Sequence, residues 1–256
     1  MKKLAICSLL LAASLAVSAQ EDNSIENVFG PASTETGLTE GLVAYYNFEG
    51  DYRDQTSYGN NATPRSTSLT EGVSGMPTSG CQFGGPSNPG SVFIHNSASL
   101  RIENGWTFAC WVKITSTRSM NGYGYTSNDG PHTIFAKSHD RHGFVILCNL
   151  NGGKFNTWLG GFASWTGGIN ANLQGDYLNK WVHVAYVYSD HQFKVYLNGE
   201  CKNTKNVTPD FSAANGQDMY LGKFSDSWYP MNGVLDEVRI YNRGLMESEV
   251  MSLAVR

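Results

Sequence analysis

The chain has 256 residues, 41% of them hydrophobic and 12% aromatic, which is enough apolar mass for a sizeable core and too much for a disordered polypeptide. Only 16% are charged and the formal net charge is −4, with the lysines scattered rather than gathered into a stripe, so a nucleic-acid binder is disfavoured. The length also excludes a peptide-sized disulfide knot.

Met1 to Ala19 reads as an export signal: Lys2 and Lys3, an apolar run from Leu4 to Val17, then Val17-Ser18-Ala19 before the acidic Glu21-Asp22. Cleavage after Ala19 is expected, which directs the product to the periplasm, the cell surface or the medium and leaves it more acidic. Cys7 sits too early in the apolar run to serve as a lipidation site, and no later window approaches the ~20 apolar residues of a helical membrane span. Residues 20–40 are polar, carry Gly30-Pro31 and show no period, so they are expected to form a flexible leader. Residues 41–256 then read as one domain.

From Gly41 onward short alternating runs are separated by turn residues. Strands are expected at Leu42 to Phe48, Ser91 to Ile94, Thr107 to Ile114, His132 to Lys137, Phe144 to Leu150, Trp181 to Tyr188, Phe193 to Asn198, Met219 to Leu221 and Val234 to Tyr241. Phe108, Cys110, Val112 and Ile114 share one face; so do Phe193, Val195 and Leu197. Val234, Asp236, Val238 and Ile240 are assigned to a third such face, where a buried acid needs a partner. Trp181 to Tyr188 is apolar on both faces and reads as a covered central strand. Asn198-Gly199 marks a tight hairpin. The single helical signal is Asn242 to Met251, with Asn242 as the capping candidate. Thr115 to Gly130 and Gly152 to Asn179 are read as long loops, of the length that is often functional. The fold class is all-β, an antiparallel two-sheet sandwich with a short C-terminal helix.

Cys81, Cys110, Cys148 and Cys201 remain after cleavage, an even number in an oxidising compartment, with three complete pairings open. Cys148 to Cys201 is the first candidate because both lie near strand ends, while Cys110 suits a buried thiol.

Six segments in order carry a family resemblance: Gly41 to Gly50, Asp54 to Asn61, Trp106 to Lys113, Trp181 to Tyr186, Val195 to Gly199, and Gly233 to Asn242 followed by Arg243-Gly244-Leu245. The set resembles the laminin G-like, concanavalin A-like jelly-roll family. That resemblance implies a sandwich of roughly a dozen strands, frequent Ca2+ binding, and recognition of a polysaccharide, a glycoprotein glycan or a protein partner; some members of the wider superfamily cleave glycans.

Glu49 to Asn61 is rich in the carboxylate and amide oxygens that a calcium ion prefers. Matching to the family implies Asp54 and Asn60 as ligands with Asp236 opposite, and Glu49 or Asp51 as additions; the alternative is that Asp54 and Asn60 cap turns and Asp236 pairs with Arg239 or a backbone donor. Stacking on a sugar ring needs aromatic side chains flanked by polar groups, for which Tyr123, Tyr125, Asp129, Trp158, Trp165, Trp228 and Tyr229 are the candidates. Trp106, Trp111 and Trp181 are assigned instead to the space between the sheets. Three acids alternating along one central strand, as in related glucanases, are absent from Phe144 to Leu150 and from Trp181 to Tyr188, so a non-catalytic module is favoured. A glycan-cleaving enzyme would draw on loop acids such as Asp129, Asp140 and Asp176.

Overall fold

The computed structural model describes residues 36–139, 142–161, 168–209, 211–224 and 228–256. Among the described residues there are seventeen strands: β1 Leu42–Tyr46, β2 Ala62–Arg65, β3 Thr67–Thr70, β4 Gly80–Gly84, β5 Ser91–Ile94, β6 Gly105–Ile114, β7 Ser119–Met120, β8 Thr126–Ser127, β9 His132–His139, β10 His142–Asn151, β11 Lys154–Gly161, β12 Ile169–Gln174, β13 Trp181–Ser189, β14 Gln192–Leu197, β15 Glu200–Asn206, β16 Met219–Leu221 and β17 Asn232–Tyr241. They form an eight-stranded sheet in the order β15-β14-β13-β6-β17-β4-β3, with β1 also on β17, and a seven-stranded sheet in the order β12-β11-β10-β9-β16-β5-β2. β7 and β8 make a separate small hairpin. All pairings are antiparallel, as expected for a jelly-roll sandwich.

Alternation in the sequence builds the core. Phe108, Cys110, Val112 and Ile114 of β6 and Phe193, Val195 and Leu197 of β14 point inward, against Phe144, Ile146 and Cys148 of β10. Trp106 stands edge-on to Phe144 at 5.0 Å between ring centres, and Phe108 meets Phe135 at 4.7 Å. Asn198 and Gly199 both adopt positive φ, so the β14–β15 turn is of the mirror-image type that matches strand twist.

Several expectations are corrected. The segment Gly152 to Asn179 is not one loop: it holds β11 and β12, whose asparagines and glycines conceal a period of two. In β17 a bulge between Asp236 and Arg239, with Glu237 at φ 53°, shifts the alternation by one residue. Val238 and Ile240 therefore enter the inter-sheet core while Asp236 turns to the outer face beside Trp111.

Cys148 and Cys201 do not pair. Cys148 is enclosed between the sheets, Cys201 packs against the outer cluster beneath the terminal helix, and all four cysteines are free thiols. Trp106 fills the core, but Trp111 lies on the outer face of the eight-stranded sheet, paired with His183 of β13 and stacked beneath the Arg256 guanidinium at 4.6 Å. Trp181, at the register position beside Lys113, carries that ammonium 4.7 Å from its ring centre.

The terminal helix runs Glu247–Leu253, and its first turn is closed by Glu249, which accepts the Met246 N–H at 2.7 Å, not by Asn242. Buried Glu249 also receives both Arg243 Nη atoms at 2.6 and 2.8 Å. Arg243 reaches the carbonyls of Gly37 and Glu40, and Leu38 packs on the same outer cluster, so the end of the expected leader belongs to the domain. The expected signal and residues 20–35 lie outside the described residues. Among the described residues no helix is long and apolar enough to cross a membrane.

Candidate functional site

The outer face of the seven-stranded sheet is where most of the expected aromatic residues converge. Alternation sends Phe155 and Leu159 of β11 inward, and so turns Asn156 and Trp158 outward. Trp158 is half-buried against Ala136, Val145, Leu147 and Phe224, in a cluster that Trp228 and Tyr229 also join.

Over this face stands the β7–β8 hairpin. Asn121 organises its tip: Oδ1 accepts the N–H groups of Tyr123 and Tyr125 at 3.0 and 3.1 Å, while Gly124 supplies φ 81° for the turn. Tyr123 and Tyr125 are 72% and 74% exposed, the degree of exposure a stacking platform requires. The Tyr123 ring meets Trp228 edge-on at 5.4 Å, and Trp228 meets Tyr229 at 5.5 Å. Trp228 exchanges backbone hydrogen bonds with Phe224, and Tyr229 donates its N–H to the Met120 carbonyl, which ties this turn to the hairpin. Gly122 lies directly on the indole: a Cβ there would fall 1.9 Å from Trp228 Cε2.

Beside the aromatic group runs a row of amides. Register places Asn149 opposite Asn156 and Asn156 opposite Asn172; the next row is Leu147, Trp158 and Asn170. Asn156 Nδ2 donates to Asn149 Oδ1 at 3.1 Å, and Asn149 Nδ2 donates to the Asp129 carbonyl at 2.8 Å. Asp129, at φ 62°, thereby anchors the long loop to the sheet through its backbone. Asp129 also lines, with Asp176, Lys154 and Tyr177, a cavity of about 310 Å³ at the strand ends.

The structure brings the candidates Tyr123, Tyr125, Asp129, Trp158, Trp228 and Tyr229 to one side of the sandwich, and Trp165 and Asp140 lie outside the described residues. The sequence did not single out Gly122 or the asparagines of β11 and β12. The signal for the asparagines was present in Phe155-Asn156-Thr157-Trp158-Leu159 and Ile169-Asn170-Ala171-Asn172-Leu173, two stretches of period two.

The expected cation site does not assemble as matched. Both Asp54 oxygens are saturated by protein donors: Oδ1 by the N–H groups of Tyr45 and Thr56, Oδ2 by the Thr56 hydroxyl and the Asn60 N–H, at 2.8 to 3.0 Å. Asn60 Oδ1 accepts from Ser97 and Ser99, and its Nδ2 donates to the Val43 carbonyl at 2.7 Å. Hydrogens directed at these oxygens occupy the lone pairs a calcium ion needs, so the pair fits a turn clasp and not a calcium cage.

Asp236 binds different partners, the N–H groups of Val73 and Glu237 at 2.8 and 2.7 Å, while Arg239 pairs with Glu237 instead. Glu49 and Asp236 line one cavity on the far side of the sandwich, but Asp51 is an exposed partner of Arg53. Among the described residues no group of three or more His, Cys, Asp or Glu side chains is placed to hold a metal. Burial pushes the Asp236 carboxyl up to about 7, against the pull of its two backbone donors. His132 and His183, both buried, are pushed down to about 4 and about 3 by the same desolvation, which suits neutral structural residues.

A model of the concanavalin A-like lectin/glucanases superfamily matches residues 86–251, most of the chain. The chain belongs to that superfamily. Among solved structures, domain 4 of AbnA, an extracellular GH43 arabinanase from Geobacillus stearothermophilus in complex with arabinotriose, is similar over 84% of this chain and 98% of its own, with TM-score 0.63 and 21% identity. Botulinum neurotoxin type C, which depends upon interaction with two ganglioside molecules to enter cells, matches over 86% of this chain with TM-score 0.63 and 14% identity. The binding domain of botulinum neurotoxin DC in complex with rat synaptotagmin II matches over 84% with TM-score 0.61 and 13% identity. The chain spans about half the length of these two toxin structures, 52% and 51%. At such identities the likeness is one of fold. No match is found among curated protein sequences.

Proposed function

We propose that the protein is an exported, non-catalytic module that recognises a polysaccharide or a glycoprotein glycan through the outer face of its seven-stranded sheet. The observation that carries this reading is the grouping of two exposed tyrosines, Tyr123 and Tyr125, with half-buried Trp158, Trp228 and Tyr229 next to the amide row of Asn149, Asn156 and Asn172. Apolar ring faces serve sugar C–H groups and amides serve hydroxyls, and a rigid sheet holds both in place. The arabinotriose bound by domain 4 of AbnA and the gangliosides required by the type C toxin support a glycan ligand on this fold. The synaptotagmin complex supports a protein partner as the alternative class.

The test is a glycan array and calorimetric titration with the mature protein, repeated with Tyr123→Ala, Tyr125→Ala and Trp158→Ala. Loss of binding by variants that stay folded, with melting temperatures lowered only by the packing each ring supplies, supports the reading; unchanged affinity in all three variants ends it. A second reading, glycan cleavage, has one observation behind it, the cavity shared by Asp129 and Asp176. Release of shortened oligosaccharides, abolished by Asp176→Asn, would establish that reading in place of the first.

A further inference from the structure

The outward positions of β10, β11 and β12 form a grid whose chemistry selects among glycans. Its middle row is Asn149, Asn156 and Asn172; the row on one side is Leu147, Trp158 and Asn170; the row on the other is Asn151, Lys154 and Gln174. Adjacent strands are ~4.8 Å apart, so the middle row crosses ~10 Å, and rows two residues apart along a strand are separated by ~7 Å. Asn149 is internally satisfied, but Asn156 Oδ1 and Asn172 Nδ2 make no hydrogen bond within the described residues, and neither does the Asn170 side chain. Asn170 and Asn172 are exposed and Asn156 is half-exposed. A rigid sheet therefore holds at least one open acceptor and one open donor on neighbouring strands, next to the half-buried Trp158 indole.

Charge is confined to the rim. Lys154 is the one cation in the three rows, and the cavity it lines also contains Asp129 and Asp176. A sugar hydroxyl both donates and accepts, as an amide does, whereas a carboxylate, sulfate or sialic acid needs cationic or clustered N–H donors and would meet two carboxylates at this rim. Resting on the carbohydrate-recognition reading above, we infer that the amide grid of β10–β12 is a subsite for an uncharged, hydroxyl-rich oligosaccharide segment. The segment crosses the strands along the Asn156–Asn172 row and packs an apolar ring face on Trp158.

The experiment titrates the mature protein with two families of probe at low and high salt. The neutral family is arabino-, xylo-, cello- and manno-oligosaccharides; the anionic family is oligogalacturonate, sulfated oligosaccharides and sialyllactose. Binding is expected from a neutral member, with an affinity that salt leaves within twofold. The Asn156→Ala/Asn172→Ala double variant should weaken it at least tenfold while remaining folded, with a melting temperature lowered only by loss of the Asn156–Asn149 and Gln174–Asn172 amide hydrogen bonds, and Asn170→Ala should weaken it less. Preference for an anionic probe with salt-sensitive affinity overturns the neutral-ligand inference and leaves carbohydrate recognition standing. Neutral binding that the double variant does not alter overturns the subsite while keeping the ligand class. Binding to no probe of either family, together with loss of every array signal, removes both readings at once.

Discussion

Replacing Gly122 by alanine tests whether the aromatic group is preorganised. The new Cβ would lie 1.9, 2.0 and 2.3 Å from Cε2, Nε1 and Cδ2 of Trp228, where ordinary contact begins near 3.4 Å. Something must therefore retreat by about 1.5 Å. The Trp228 backbone is held by hydrogen bonds with Phe224 in both directions and its indole packs on the Tyr229 ring, so the two-residue strands of the β7–β8 hairpin are the softer partner. Lifting the hairpin separates Tyr123 from Trp228, a pair worth ~0.5–1.5 kcal/mol, and overpacking costs of ~1–3 kcal/mol set the ceiling. An expected loss of about 1–2 kcal/mol corresponds to a Tm fall of roughly 2–8 °C, and glycan affinity should drop about tenfold if Tyr123 leaves its place. Thermal melts followed by tryptophan emission and calorimetric titration provide both numbers, with Gly216→Ala as control because nothing lies within 4 Å of its Cβ and its φ is −87°. Equal Tm and equal affinity for the two variants would refute the seating of Trp228 on Gly122.

Asp54→Ala removes the acceptor for four donors and is expected to cost ~3 kcal/mol or more, by the same amount in calcium and in chelator; a cost confined to calcium buffer would restore the cation reading. The Asp236 carboxyl titrates near 7 in the fold against 3.8 as its ordinary value, so the stability it contributes is fully present below pH ~4 and is lost as pH rises through 7. The loss is bounded at ~4 kcal/mol, and Asp236→Asn should flatten the stability slope between pH 5 and 8 in urea titrations; an unchanged slope would show that the group ionises freely. Glu249 is held below the usual carboxylate range chiefly by its hydrogen bonds from Arg243, so that contribution is present above the ordinary glutamate pKa and fades as pH falls through the folded value. Arg243→Ala strands a buried carboxylate and should cost ~3–5 kcal/mol, read as a fall in urea midpoint, with a loss below 1 kcal/mol contradicting the clasp.

Strands with large apolar residues on one face were legible because burial on a sheet has a period of two. Ser91–Ile94 and Met219–Leu221 have the expected bounds, and β6 and β14 have the expected inward faces. β11 and β12 were hidden for the reason that makes them interesting: their outward positions are amides and glycines, whose composition is that of a loop. The β17 bulge was hidden because a positive φ at Glu237 leaves no mark in the residue pattern, and it alone carries Asp236 away from the side on which Val238 sits. Asp54 and Asn60 illustrate a different limit. Composition says that oxygens are present, but only geometry says that backbone N–H and hydroxyl groups already occupy them.

Which face of the sandwich is left for a ligand follows from the side chains each sheet turns outward. On the eight-stranded sheet, Ala109, Ala185 and Val187 are small and apolar, and they admit Leu245, Val250 and Leu253 of the C-terminal segment to close contact. That part of the face is spent on folding, and the Arg243–Glu249 pair fixes the helix there. On the seven-stranded sheet the outward positions of β10–β12 instead include Leu147, Asn149, Asn156, Trp158, Asn170 and Asn172, a mixture too polar to bury under a helix without leaving amides unpaired. Such a surface gains little from covering by the chain itself and much from a partner that brings hydroxyls and ring C–H groups together. The outward residues of the two sheets therefore differ in kind: among the described residues one face takes the terminal helix onto its small apolar side chains, and the other turns amides and an indole outward from the same core.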